Sequence, residues 1–321
     1  MSLIIYILSH NILPLFALIG VGVLLSKKFH LDINTLTKIN FYLFVPAFTF
    51  VNIYQTKIEI DALKAMTIAV LVLLINALLS FGVARLRHYD QGMRNAFQNS
   101  IMFYNSGNFG VPLITLVFSS GMYAAGGDNP YLNIALTTQI MVLVIQNVTV
   151  NTLGFYSAAS SKLHWKEGVI NILKMPTVYF VTLAFVLKAV PYDMTTLWIW
   201  PALTYAKNGL VPIALLTLGV QLSLTKFDFT SKKVYLAVFC RLIIGPVIAF
   251  GLIKLFAVEG VMAQALMIST GVPTAINSAL IAVECDNHPD FASQVVLVST
   301  LLCSVTLVAV IYAAAKLFPV F

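Results

Sequence analysis

Apolar runs of about twenty residues alternate with short polar gaps along the whole chain. A membrane-crossing helix needs about 20 mostly apolar residues. Ten stretches meet that pattern: 3–25, 36–55, 63–85, 94–119, 131–157, 168–189, 200–223, 233–255, 260–283 and 291–317. The gaps between them, such as 120–130 and 158–167, are too short to hold an inserted soluble domain. The run at 3–25 lacks a basic segment before it, and Lys27 and Lys28 follow it, so it reads as a first span and not as a cleaved leader.

The pattern is broken most sharply at 105–112, which reads NSGNFGVP inside an apolar stretch. Proline cannot donate its N–H and blocks the carbonyl four residues back. Gly107 and Gly110 weaken the helix further, so the backbone around 108–111 is expected to unwind. A second break, TGVPT, stands at 270–274. Other prolines pair at nearly the same offset: Pro14 with Pro176, Pro46 with Pro212 and Pro112 with Pro273, separated by 162, 166 and 161 residues. Five spans per unit is an odd number, so the second unit would enter the membrane from the opposite side. Such inverted repeats are a common transporter architecture. The expected division is 1–158 for spans 1–5 and 159–321 for spans 6–10.

Composition agrees with lipid as the main solvent. Of 321 residues, 60% are hydrophobic and 10% charged, against about 25% charged in soluble domains. Mean hydropathy is +0.92. The net charge of +7 does not mark a nucleic-acid binder, because the basic residues lie in gaps and form no patch. Numbering the gaps from one, Lys27, Lys28, Lys38, Arg85, Arg87, Arg94, Lys162, Lys166, Lys174, Lys226, Lys232 and Lys233 fall in or beside odd gaps. Even gaps hold Lys57, Lys64, Lys188 and Lys254, with Asp128 and Asp193. The excess of Lys and Arg marks the odd gaps as cytoplasmic, with both termini extracytoplasmic in a plasma (inner) membrane.

Candidate chemistry is non-covalent. Cys240, Cys285 and Cys303 are too scattered for a disulfide framework, and His10, His30, His88, His164 and His288 share no metal-ligand spacing. No phosphate-binding loop is present, so no cofactor is expected. No Asp or Glu lies near the middle of a span, which disfavours a cationic substrate. The two breaks expose helix N-termini with free N–H groups and partial positive charge, suited to an anion. The expected site is Asn105, Asn108, Gly110, Pro112, Gly271, Pro273, Thr274 and Asn277, with Pro112 and Pro273 opening the second half-helices. Gln139 and Gln146 on span five, and Ser293 and Thr300 on span ten, either line a cavity or join helices. Arg241 either attracts an anion or snorkels to the membrane boundary, and its length favours snorkelling.

The residues that carry these features resemble the auxin efflux carrier family over nearly the whole chain. They are NSGNFGVPL at 105–113, TGVPTA at 270–275, LGVQL at 218–222 and RLIIGP at 241–246. The resemblance implies an all-α polytopic membrane protein of ten transmembrane helices in two inverted five-helix repeats. It implies crossed broken helices 4 and 9 and an elevator-type fold similar to sodium/bile-acid symporters. Spans 1, 2, 6 and 7 would form a scaffold, and spans 3–5 and 8–10 a transport domain, often in a homodimer. The implied substrates are small organic anions, auxin in plants and dicarboxylates in bacteria, with H+ or Na+ as a coupling ion. Many plant members carry a long cytoplasmic loop that gap five lacks, which points to a bacterial-type member.

Overall fold

The computed structural model describes residues 3–55, 61–119, 123, 129–159, 176–225 and 230–320. Every described element is helical, apart from one isolated two-residue bridge. Twelve segments organise it. They are α1 (Ile4–Phe29), α2 (Ile33–Gln55) and α3 (Leu63–Leu86), α4 (Gln91–Met102), α5 (Ser106–Phe118) and α6 (Tyr131–Ala159). There follow α7 (Pro176–Lys188), α8 (Trp200–Leu224) and α9 (Lys232–Leu255), α10 (Gly260–Thr270), α11 (Ile276–Glu284) and α12 (Pro289–Leu317).

Seven of these, α1, α2, α3, α6, α8, α9 and α12, are long and apolar enough to cross a membrane. This corrects the expected ten. The stretches 94–119 and 260–283 stay apolar through their breaks, so a hydropathy reading carries each as one span. The backbone instead divides them into α4 and α5, and into α10 and α11. The 12-residue α4 is about 18 Å long at 1.5 Å per residue, against a hydrocarbon core of about 30 Å. The described part of the third stretch, α7, has 13 residues. An elevator-type arrangement of two inverted five-helix repeats needs ten spans, and it does not hold here. The expected 158/159 boundary adjoins residues 160–175, outside the described residues, as are Lys57, Asp128, Lys162, His164, Lys166, Lys174 and Lys226.

Local chemistry sets the helix ends. Asp32 caps α2 by accepting from the Asn34 and Thr35 N–H groups, each at 3.1 Å. Asp90 caps α4 through Met93 N–H at 2.9 Å, and Asn129 caps α6 through Leu132 N–H at 3.1 Å. Such caps satisfy donors that helix geometry leaves orphaned. The outer surface is apolar, with Leu24, Leu78 and Val305 about 70% exposed (68%, 72% and 72%). In a lipid solvent that exposure carries no hydrophobic cost.

Small residues set a close helix contact. Gly22 of α1 and Gly219 of α8 face each other, and a methyl group on Gly219 would fall 2.9 Å from the Gly22 Cα. Without a hydrophobic drive between helices in lipid, such close backbone approach supplies the packing energy. Several helices carry π turns, at Ile7–Ile12, Asn40–Phe44, Val150–Gly154 and Cys240–Ile244, and α5 opens on one at Ser106–Gly110. The turn at Asn40–Phe44 bears directly on the site below.

Candidate functional site

The two breaks meet. Phe103, Tyr104 and Asn105 run antiparallel to Pro273, Thr274 and Ala275, joined by Asn105 N–H to Pro273 O (2.8 Å) and Ala275 N–H to Phe103 O (3.0 Å). Unwound backbone at membrane depth survives only if its polar groups find partners inside the protein. Here they do. Tyr104 and Thr274 face each other, so their N–H groups point away from the pair and are taken by side chains of the flanking long helices. Gln146 Oε1 on α6 accepts from Tyr104 N–H at 3.1 Å, and Ser299 Oγ on α12 accepts from Thr274 N–H at 3.1 Å. The Thr274 hydroxyl donates to Ser100 O at 2.8 Å.

Arg241 closes the arrangement from α9. Its side chain is fully buried, donating through Nη1 to Ile101 O at 2.8 Å and through Nη2 to Thr270 O. Those carbonyls sit at the C-terminal ends of α4 and α10. Each helix C-terminus carries roughly −0.5 charge, so the two together balance one guanidinium without any carboxylate. The guanidinium carbon also lies 4.6 Å from the centre of the Tyr104 ring. Arg241 therefore does not snorkel. It caps both interrupted helices, and it does not line the cavity.

The C-terminal ends are thus neutralised, while the N-terminal ends open on a cavity. The cavity is part open, its roughly 440 Å³ of empty space taking in open solvent, and its lining atoms include Phe41, Val45, Tyr104, Ser106, Gly107, Leu143, Asn147, Val150, Ala275 and Ile276. Asn105, Asn108, Gln146 and Asn277 supply further polar lining. Ser106, Gly107 and Asn108 form the first turn of α5, and Ile276 and Asn277 begin α11. The field at this end is positive.

The amides share one polarity. Asn105 Oδ1 accepts from Asn108 N–H at 3.1 Å, and Gln146 Oε1 accepts from Tyr104 N–H. Their amino groups, Asn105 Nδ2 and Gln146 Nε2, are buried with no hydrogen-bond partner among the described residues. The nearby backbone carbonyls are occupied as well. Tyr104 O accepts from Ser106 N–H (2.7 Å), Asn105 O from Gly110 N–H (2.8 Å), and Ser106 O from Gln139 Nε2 (2.7 Å). The cavity offers donors.

Of the eight residues expected at the site, Asn105, Asn108 and Asn277 line the cavity. Gly110, Pro112, Gly271, Pro273 and Thr274 are buried and do not line it. The second half-helices start at Ser106 and Ile276, not at the prolines. Pro112 follows the π turn inside α5, and Pro273 lies in the extended break, where its carbonyl serves the pairing. Gly110 keeps α5 close to Gln139, since a Cβ there would fall 2.5 Å from Gln139 Nε2. Gln139 braces the π turn and does not line the cavity. Thr300 bonds its own helix through Val296 O at 2.7 Å, and Ser293 is half-buried away from the lining. Sequence reasoning missed Asn40, Ser299 and Tyr104. Ser299 adjoins Thr300 in sequence, and Asn40 is an amide near the start of an apolar run.

A helical protein with seven membrane-length helices among its described residues, and a polar, donor-lined cavity where two interrupted helices meet, is a membrane carrier in class. The chain belongs to the membrane transport protein family, whose model matches residues 7–167 and again 165–311. Membership agrees with the resemblance to auxin efflux carriers and makes this a multi-pass transport protein, not an enzyme. The chain is similar to an "Uncharacterized transporter" of Methanothermobacter thermautotrophicus, 23% identical over 286 residues that cover 86% of this chain and 87% of the relative.

Proposed function

We propose that the protein is a secondary carrier for small organic anions, dicarboxylates or auxin-like carboxylates, received by alternating access at the crossing. One observation carries this reading: Asn105 and Gln146 hold their oxygens on backbone N–H groups, which keeps their amino groups turned as donors, and that of Asn105 is buried without a partner among the described residues. A backbone N–H cannot become an acceptor, so neither amide can invert without stranding it. An unpartnered buried donor costs about 1–3 kcal/mol, which a ligand carboxylate would recover. The N-termini of α5 and α11 add a favourable field. The occupied oxygens argue against Na+ held at this cavity. At an inside-negative membrane, export of an anion gains about 2.3 kcal/mol per charge per 100 mV, and import needs a coupled ion such as H+. Multi-pass placement in a plasma membrane completes the proposal.

The test is uptake and efflux of mono- and dicarboxylates in reconstituted vesicles under an imposed potential, beside binding to the purified protein. Asn108→Ala and Gln146→Leu are expected to lose anion binding. Absence of flux across the whole panel, from protein that unfolds cooperatively, would overturn the reading.

A further inference from the structure

Asn40 is 1% exposed and lies at the start of the π turn in α2. The extra residue in that turn brings Phe41 and Val45 to the cavity wall, with Asn40 beside them. Asn40 Nδ2 donates to Asn108 Oδ1 at 2.8 Å, joining α2 to the first turn of α5. Asn40 Oδ1 has no hydrogen-bond partner among the described residues.

This contact differs in kind from those of Asn105 and Gln146. Their oxygens meet backbone N–H groups, so their orientation is locked. Asn40 and Asn108 meet amide to amide, and an amide presents a donor on one side and an acceptor on the other. If both invert together, Asn108 Nδ2 donates to Asn40 Oδ1. The hydrogen bond is kept, and the count of unpartnered atoms on Asn40 stays at one. Asn108 then shows the cavity an oxygen in place of an amino group. Each sense makes one hydrogen bond between the two amides.

We propose that Asn40 and Asn108 form an invertible amide couple that lets the cavity accept either a hydrogen-bond donor or an acceptor beside a carboxylate, so that 2-hydroxy and 2-oxo carboxylates are both ligands. The proposal rests on the anion reading of the cavity. The locked amides hold the carboxylate, and the couple reads the neighbouring oxygen. Asn40 is a positioning residue that acts through Asn108.

Lactate and pyruvate test this, because they match in charge and nearly in size and differ in that oxygen. Wild-type protein is expected to bind both within a few-fold of each other. Asn40→Asp is read at alkaline pH, above the raised pKa that burial gives a carboxyl; there the carboxylate only accepts, which holds the Asn108 amino group inward and its oxygen toward the ligand. Pyruvate binding should then weaken by about tenfold relative to lactate, the worth of one opposed hydrogen bond. In Asn40→Leu both ligands should weaken together with their ratio unchanged. A merely structural role for Asn40 would lower both affinities in both variants and move neither ratio. An unchanged ratio in folded Asn40→Asp, a tenfold preference in wild type, or a tenfold preference in Asn40→Leu would each overturn the couple. Failure of wild type to bind any carboxylate would instead overturn the anion reading beneath it.

Discussion

Replacing Arg241 with Met tests whether one guanidinium holds the crossing together. The substitution keeps much of the volume and strands Ile101 O and Thr270 O, both now bonded to the guanidinium. Each stranded buried acceptor costs about 1–3 kcal/mol, and loss of the contact with the Tyr104 ring costs about 1 kcal/mol more. Relief from burying a cation opposes these terms. That relief is small here, because a guanidinium in the unfolded, membrane-inserted chain is also poorly hydrated and finds local partners. The carbonyl loss therefore wins, and the net destabilisation is about 3 kcal/mol. For a chain of this size it lowers the unfolding midpoint by about 5–10 °C. Arg241→Lys keeps the charge and loses the fork that reaches two carbonyls, so its loss is about half as large. Gly245→Ala should fall between wild type and Met, since its Cβ would lie 2.7 Å from Arg241 Nη2. Thermal unfolding in detergent reads all three through a thiol-reactive dye, because Cys240 and Cys303 are buried free thiols that unfolding exposes. A Met variant that unfolds at the wild-type temperature would refute the counter-charge argument.

Two further outcomes follow from the same geometry. Gly219→Ala places a methyl against the Ile19 carbonyl and Gly22, forcing α1 and α8 apart at about 1–3 kcal/mol; an unaltered unfolding midpoint would show that the contact is slack. At Asp90 the Met93 N–H, with His288 nearby, holds the carboxyl below its ordinary value. A lowered folded pKa means stability that is complete above the ordinary carboxylate range and lost as pH falls through the lowered value. Asp90→Ala should cost about 0.5–1 kcal/mol near neutrality, at the low end for caps because the side chain is exposed, and nothing in strong acid. A difference that persists unchanged into acid would assign the effect to something other than the carboxylate.

Much of the cavity lining was legible because the signals were local. NSGNFGVP and TGVPT break a helix by covalent chemistry, whatever surrounds them, and Asn105, Asn108 and Asn277 were found from their place beside those breaks. The prolines misled in detail. Their preference for a first helical turn is a statistical tendency, and here Asn105 caps a π turn that starts α5 six residues before Pro112. Arg241 misled for a different reason. A long basic side chain in a span reads as snorkelling until two helix C-termini are seen to converge on it.

The sequence by itself determined the solvent and the places where helix must stop, because hydropathy and backbone dihedrals are properties of neighbouring residues. Tertiary structure decided how many helices are long enough to cross, since a break divides length without changing composition. It also decided that Tyr104 meets Thr274, that Arg241 answers two carbonyls, and which face each amide shows. Those are pairings between residues far apart in the chain. In a low-dielectric interior each polar group takes the partner that packing brings within about 3 Å, and no local pattern records that choice.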